Sequence, residues 1–198
     1  MLEAQLVLNI PTFAQEKRVF HANATHLFDY EYLNKEYFKP AESLPATPEL
    51  VALGEALFYD PMLSGNNKRS CASCHQADKA FSDGIAKSVA FNGKGFISRN
   101  APTLWNATFQ AMQFLEGRVA YMEDQIRDVL AAKDEMHSSI ESVVQKINHI
   151  SQYRASFNDV FSKKNNEPVT EKEVLNALAA YLRSLVALNS RFDRHMRG

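Results

Sequence analysis

The sequence predicts an all-α domain, and three observations carry that prediction. Apolar residues recur at a 3.6-residue period in several separate stretches, among them Leu50, Leu53, Leu57 and Phe58, and Ile140, Val143, Val144 and Ile147. Helix-opening chemistry stands just ahead of two of them, Thr47-Pro48 and Thr170-Glu171-Lys172-Glu173. No alternating β pattern precedes Ser70, where the chain's two cysteines begin.

At 198 residues the chain suits one domain with a long extension, which we divide into residues 1–46 and 47–198. It is 45% hydrophobic with 13 Phe and 7 Tyr, enough for a core around a large cofactor, and its net charge of −1 gives no reason to expect nucleic acid. No run approaches a transmembrane length. Residues 1–46 show no sustained period. Their aromatics (Phe20, Phe28, Tyr30, Tyr32, Tyr37, Phe38) suit a segment laid across a domain surface, and His21 and His26 read as solvated or packed rather than metal-binding. The short apolar run Leu6-Val7-Leu8 follows Glu3, where an export signal needs positive charge.

Thr47 is an N-cap, Pro48 a first helical residue and Glu49 an acid in the first turn; the helix stops before Asp60-Pro61. Leu63-Ser64-Gly65-Asn66-Asn67 is a turn. After it comes Cys71-Ala72-Ser73-Cys74-His75, the C-x-x-C-H pattern in which two thiols add to haem vinyl groups and the histidine becomes the iron ligand. These are the chain's two cysteines, too few for a disulfide framework, and a zinc site lacks its further ligands nearby. A thioredoxin-type C-x-x-C normally follows a strand. One covalent haem c is therefore expected, on Cys71, Cys74 and His75.

Beyond His75 the chain is loop-like: Phe81-Ser82-Asp83-Gly84, Asn92-Gly93-Lys94-Gly95, then Arg99-Asn100-Ala101-Pro102-Thr103. Long glycine-bearing loops beside a cofactor usually wrap it. A helix is expected from about Val119 with Met122, Gln125, Ile126 and Val129 on one face, another with Tyr153, Phe157 and Phe161, and a last one carrying Val174, Leu178, Tyr181, Leu182, Leu185 and Phe192 to near the C-terminus.

Several stretches, in this order, resemble one family. They are Leu53-Gly54-Glu55-Ala56-Leu57-Phe58-Tyr59-Asp60-Pro61-Met62-Leu63-Ser64, the cysteine motif, Ala80-Phe81-Ser82-Asp83-Gly84, Arg99-Asn100-Ala101-Pro102-Thr103-Leu104, Gln113-Phe114-Leu115-Glu116-Gly117-Arg118, Glu135-Met136 and Asn189-Ser190-Arg191-Phe192-Asp193-Arg194. The chain from Thr47 onward resembles the N-terminal domain of bacterial di-haem cytochrome c peroxidases and the related maturation enzyme of methylamine utilisation. That resemblance implies a cytochrome c-like fold and hydrogen peroxide reduction at an open haem site. Electrons would come from a second haem c domain served by a small redox donor protein. It also implies a periplasmic location, and family members often form homodimers. With one C-x-x-C-H, the chain is read as the peroxidatic half, either cut from a longer protein or an isolated domain.

The resemblance places the family's catalytic glutamate on Glu135, where a carboxylate can take a proton from peroxide and return it to the leaving oxygen. It places the distal glutamine on Gln125, and on Asn100 a position of an interdomain calcium site; a turn asparagine before Ala101-Pro102 is the alternative for Asn100. By residues alone, Lys133-Asp134-Glu135 is a solvated charged run. Two departures stand out. The family's distal histidine position carries Phe91, which predicts an iron open to peroxide, and the inter-haem tryptophan position carries Leu115, leaving Trp105 as the single tryptophan. His137 reads as a helix-start residue, His149 and His195 as solvated, and Met112, Met122 and Met136 as core residues at helical spacing. The readings left standing are the peroxidase, a six-coordinate electron-transfer mono-haem domain in which a methionine or histidine closes the iron, and a related di-haem oxidase.

Overall fold

The computed structural model describes residues 35–41, 43–163 and 167–197. His21 and His26, and the aromatics from Phe20 to Tyr32, lie outside the described residues. The described part is helical: α1 (Pro48–Tyr59), α2 (Met122–Ala131), α3 (Ile140–His149), α4 (Ser151–Val160), α5 (Glu171–Ser184) and α6 (Arg191–Arg197), with one-turn 3₁₀ segments before α1 and between α1 and α2. Among the described residues the β structure is confined to three isolated bridges, and no helix is long and apolar enough to cross a membrane.

Helix α1 starts as its cap chemistry requires. Thr47 Oγ1 accepts the Leu50 N–H at 3.2 Å, with Pro48 at the first helical position. It ends at Asp60, whose carboxylate accepts the Met62 N–H at 2.8 Å and the Tyr153 hydroxyl at 2.6 Å. Leu50, Leu53, Leu57 and Phe58 are all buried, the face anticipated from their spacing. Helix α5 is the centre of the molecule: every residue from Val174 to Arg183 is buried. Its capping box is formed, with Thr170 Oγ1 accepting from Glu173 N and Glu173 Oε2 accepting from Thr170 N.

The two helices cross at Gly54. A Cβ there would lie 1.9 Å from the Ala177 carbonyl oxygen and 2.9 Å from Tyr181 Cβ, so only glycine permits this approach. Helix α2 is clipped to α5 by a bidentate pair, Arg183 to Glu123 at 2.8 Å for both hydrogen bonds, with Arg183 buried and Glu123 largely so.

Three expectations need correction. The last helix does not run to Phe192: α5 ends at Ser184, and Phe192, 61% exposed, belongs to the separate helix α6. Asn106 takes the chain away from the helical path, its N–H donating to the Leu185 carbonyl at 2.9 Å and its side-chain oxygen accepting the Ala187 N–H at 2.8 Å. Helix α2 opens at Met122, since Val119 is engaged in a bridge to Gln113. His137 does not start a helix. It sits in a left-handed turn (φ 50°), and Ser139 caps α3 by accepting the Ser142 N–H.

Candidate functional site

Three pieces of chain meet around the cysteine motif: the segment 64–75, the loop 88–97, and the turn 132–138 between α2 and α3. The first is braced before it reaches Cys71. The buried Ser64 hydroxyl accepts the N–H groups of Lys68 and Arg69, each at 3.2 Å, and donates to the Pro61 carbonyl. From α3, Lys146 donates to the carbonyls of Met62 and Ser64 and to Asn67 Oδ1, all at 2.8 Å. Gly65 donates its N–H to the Met136 carbonyl at 2.9 Å. A Cβ on Gly65 would lie 2.0 Å from the His137 carbonyl oxygen, so the motif's approach and the Glu135 turn touch backbone to backbone.

Cys71–Ser73 form a 3₁₀ turn that brings Cys74 N–H and His75 N–H onto the Cys71 carbonyl, at 3.2 and 3.0 Å. Both cysteines are free thiols. Burial pushes the Cys71 thiol up to about 12; it also raises Cys74, an effect that nearby Arg69 opposes. Both are therefore thiols rather than thiolates at neutral pH, the reverse of what a thiol–disulfide nucleophile needs.

His75 Nδ1 lies 2.9 Å from the Phe81 carbonyl oxygen. A carbonyl only accepts, so Nδ1 carries the proton and the Nε2 lone pair is left for a metal. Burial also pushes the His75 pKa down, favouring the neutral imidazole that ligates iron. The carbonyl is aimed by two consecutive left-handed residues, Ala80 and Phe81 (φ 56° at each). They are held by Phe81 N–H on the Gln76 carbonyl at 2.8 Å and by Thr103 Oγ1 on the Ala80 carbonyl. The buried Phe81 ring meets Phe58 and Trp105 edge-on, at 6.2 and 5.3 Å between ring centres. Two free thiols beside a neutral imidazole with a preset tautomer fit a covalent haem. Close by, the buried Ser88 hydroxyl stands against the Cys74 thiol and opposes the upward push of burial on it.

The loop 88–97 folds back on itself through Ala90 N–H to the Gly95 carbonyl and Ile97 N–H to the Ser88 carbonyl. Phe91 joins it to the Glu135 turn, donating its N–H to the Asp134 carbonyl at 2.7 Å and stacking on His137 (5.1 Å between ring centres, 10° between planes). The turn itself is closed by Glu135 N–H and His137 N–H on the Ala132 carbonyl and by Ser138 N–H on the Leu130 carbonyl. Glu135 is half-buried, and its carboxylate takes no hydrogen bond among the described residues. Burial first, then Asp134, raises its pKa; Arg118 and Arg69 pull the other way. Its charge is felt at the Cys74 thiol, which ties the carboxylate to the motif's surroundings.

Not every candidate joins this cluster. Gln125 is half-buried in α2, and among the described residues no hydrogen bond links it to the motif. Asn100 is exposed, and no group of three or more metal-binding side chains of His, Cys, Asp or Glu occurs among the described residues. Leu115 is 88% exposed. Met122 and Met136 are core residues as expected, but Met112 is exposed; His149 and His195 are exposed. A cavity of about 550 Å³, lined by Tyr121, Glu123, Arg127 and Glu171 among others, lies between α2, α5 and Pro40, Ala41 and Ser43, and neither cysteine nor His75 lines it. The residue that sequence reasoning missed is Arg69, two positions before Cys71: its guanidinium donates to the carbonyls of Val89, Ala90 and Glu135, at 3.0, 2.9 and 3.3 Å.

A helical chain that presents two free thiols and a metal-ready histidine in one turn belongs to the c-type haem proteins. Within that class the chain belongs to the di-haem cytochrome c peroxidase family, whose family model matches residues 48–198. It is 37% identical over 169 residues to the methylamine utilization protein MauG of Methylorubrum extorquens, covering 81% of this chain and 46% of that protein. It is 31% identical over 195 residues to the cytochrome c551 peroxidase of Pseudomonas aeruginosa, covering 98% and 54% respectively. The crystal structure of a MauG-like protein associated with microbial copper homeostasis superposes with a TM-score of 0.70 at 29% identity, over 81% of this chain and 48% of that one. The diheme peroxidase BthA from Burkholderia thailandensis gives 0.64 at 27% identity, over 79% and 46%. The chain thus spans about half the length of the relatives it matches.

Proposed function

We propose that residues 47–198 are the peroxide-reducing haem c domain of a di-haem peroxidase, with residues 1–46 as an extension. One observation carries this reading: a half-buried carboxylate without a hydrogen-bond partner, Glu135, stands on a turn locked by backbone contacts to the haem-attachment segment. Cys71 and Cys74 would hold the haem covalently and His75 would ligate its iron, supplying the redox chemistry that splits the O–O bond.

This chain's residues would move the protons. Glu135 as carboxylate accepts a proton from the near oxygen of hydrogen peroxide and delivers it to the far oxygen, which leaves as water. Two electrons and two further protons complete the reduction to a second water. A carboxylate that has no competing partner and is pushed up in pKa is suited to both halves of that transfer. Gln125 would orient peroxide from α2. Phe91, which has no metal-binding atom, would not compete with peroxide for the iron.

The electrons would come from a second haem domain fed by a small donor protein, in the periplasm, where bacterial haem c is attached. Calcium at Asn100 and a homodimer belong to the same reading. The test is the ferric optical spectrum of the haem-loaded chain, followed by mixing with peroxide. A high-spin spectrum that reacts promptly, and a slowing on the order of 10²–10⁴-fold in Glu135→Gln, are the expected results. A low-spin spectrum indifferent to peroxide would sink the reading, as would Glu135→Gln reacting at the wild-type rate.

A further inference from the structure

Arg69 occupies a junction that neither the cysteine motif nor the glutamate requires by itself. One guanidinium nitrogen donates to the Glu135 carbonyl at 3.3 Å, and the other donates to the Val89 and Ala90 carbonyls at 3.0 and 2.9 Å. The same guanidinium lies 5.8 Å from the centre of the Phe91 ring, and that ring also stacks on His137. Arg69 N–H is itself fixed on the buried Ser64 hydroxyl. Thus one side chain on the approach to Cys71 gathers the loop 88–97 and the Glu135 turn, which are also joined by the Phe91–Asp134 hydrogen bond and the ring stack. A planar fork with donors in two directions suits three carbonyls from two segments; an ammonium does not reproduce that geometry.

We infer that Arg69 is a positioning residue for Glu135, pinning the glutamate's backbone and the loop 88–97 against the haem-attachment segment. This inference rests on the peroxidase reading of the site. Its electrostatic side can be stated through the charges that face Glu135: Asp134 on its own turn, Arg118 from the stretch before α2, and Arg69, with Cys74 opposite. Arg69 is one of the two cations that counter the upward push on this carboxyl. Without it the carboxyl holds its proton to higher pH.

The experiment compares Arg69→Leu, Arg69→Lys and Glu135→Gln in the haem-loaded chain. It measures the rate of reaction with peroxide across pH and the hydrogen exchange of the Phe91 amide. Arg69→Leu is expected to react on the order of tenfold or more slowly. Its acid limb should lie at higher pH than in the wild type, and the Phe91 amide should exchange faster. Arg69→Lys, which keeps the charge and loses the fork, is expected to hold the wild-type acid limb while its Phe91 amide still exchanges faster. A purely structural role would not separate the two variants in pH profile.

Arg69→Leu with wild-type rate and acid limb, alongside an impaired Glu135→Gln, would overturn the inference and leave the peroxidase reading intact. If Arg69→Leu does not take up haem, Arg69→Lys decides: unchanged Phe91 exchange and unchanged rate would overturn it. A wild-type rate in Glu135→Gln would bring down the peroxidase reading, and this inference with it.

Discussion

Helices α1 and α5 meet through apolar side chains and one close backbone approach at Gly54, and nearly every contacting residue is buried. The stretch from Ser64 to Tyr121 is built differently. Its regular structure is limited to three-residue 3₁₀ turns and three isolated β-bridges, and it is secured by single polar groups reaching backbone: Ser64 to Arg69 N–H, Lys146 to two carbonyls, Ser82 to the Ala101 carbonyl, Arg69 to three carbonyls. Burying a large apolar side chain contributes about 1.5–3 kcal/mol against about 0.5–1.5 for a neutral hydrogen bond, and the frame buries many such side chains. The frame therefore holds most of the stability, while the loops hold the geometry of the chemistry. A substitution should report which region it struck by which measurement it moves.

The largest effect is expected in the frame. Phe58 is fully buried and packs against Tyr181, Phe81 and Tyr59. Phe58→Ala should lower the unfolding free energy by about 3–5 kcal/mol in a denaturant titration. A loss near that of a surface substitution would break the division drawn above.

Gly65→Ala should strike the loops instead. The new Cβ meets the His137 carbonyl, and the backbone must give way at a cost of about 1–3 kcal/mol. The Glu135 turn would be displaced, so the peroxide reaction should fall much further than the melting temperature; both falling in proportion would show that the two regions are one unit.

The smallest effect concerns the charge on Glu135. Its folded pKa is raised above the ordinary glutamate value, so the folded protein binds this proton more tightly than the unfolded chain. Ionised Glu135 therefore opposes folding; the penalty is absent below the ordinary value and fully present above the raised one. Glu135→Gln should be slightly more stable than the wild type at neutral pH, with the difference vanishing in acid. Equal melting temperatures throughout that range would mean that burial does not set the carboxyl's state.

How far each region was legible in the sequence follows the same division. The ends of α1 and the start of α5 were readable because Thr47-Pro48, Asp60-Pro61 and Thr170 with Glu173 are local chemistry. Cys71-Ala72-Ser73-Cys74-His75 was readable as a candidate attachment site because the covalent chemistry it would serve needs adjacent residues. The end of α5 was misread, since Leu185 continues the apolar period and the competitor, Asn106, lies 81 positions from its partner Ala187. Arg69 escaped notice for the same reason: its acceptors Glu135, Val89 and Ala90 are 66, 20 and 21 positions away, with no pattern announcing them. Gly65 looked like a turn residue, and its real constraint is a carbonyl more than seventy residues downstream.

The acceptor that orients His75 belongs to the main chain. No side-chain exchange at position 81 can delete it, so the proton partner of the proposed iron ligand is shielded from the commonest kind of mutation. Its direction has no such protection, for it depends on where the Phe81 ring is seated between Phe58 and Trp105. In evolutionary terms, the route to retuning the ligand passes through the hydrophobic interior. Substitutions that look like routine repacking of Phe58 or Trp105 would be inherited as changes in how strongly the imidazole donates to the metal it is proposed to hold.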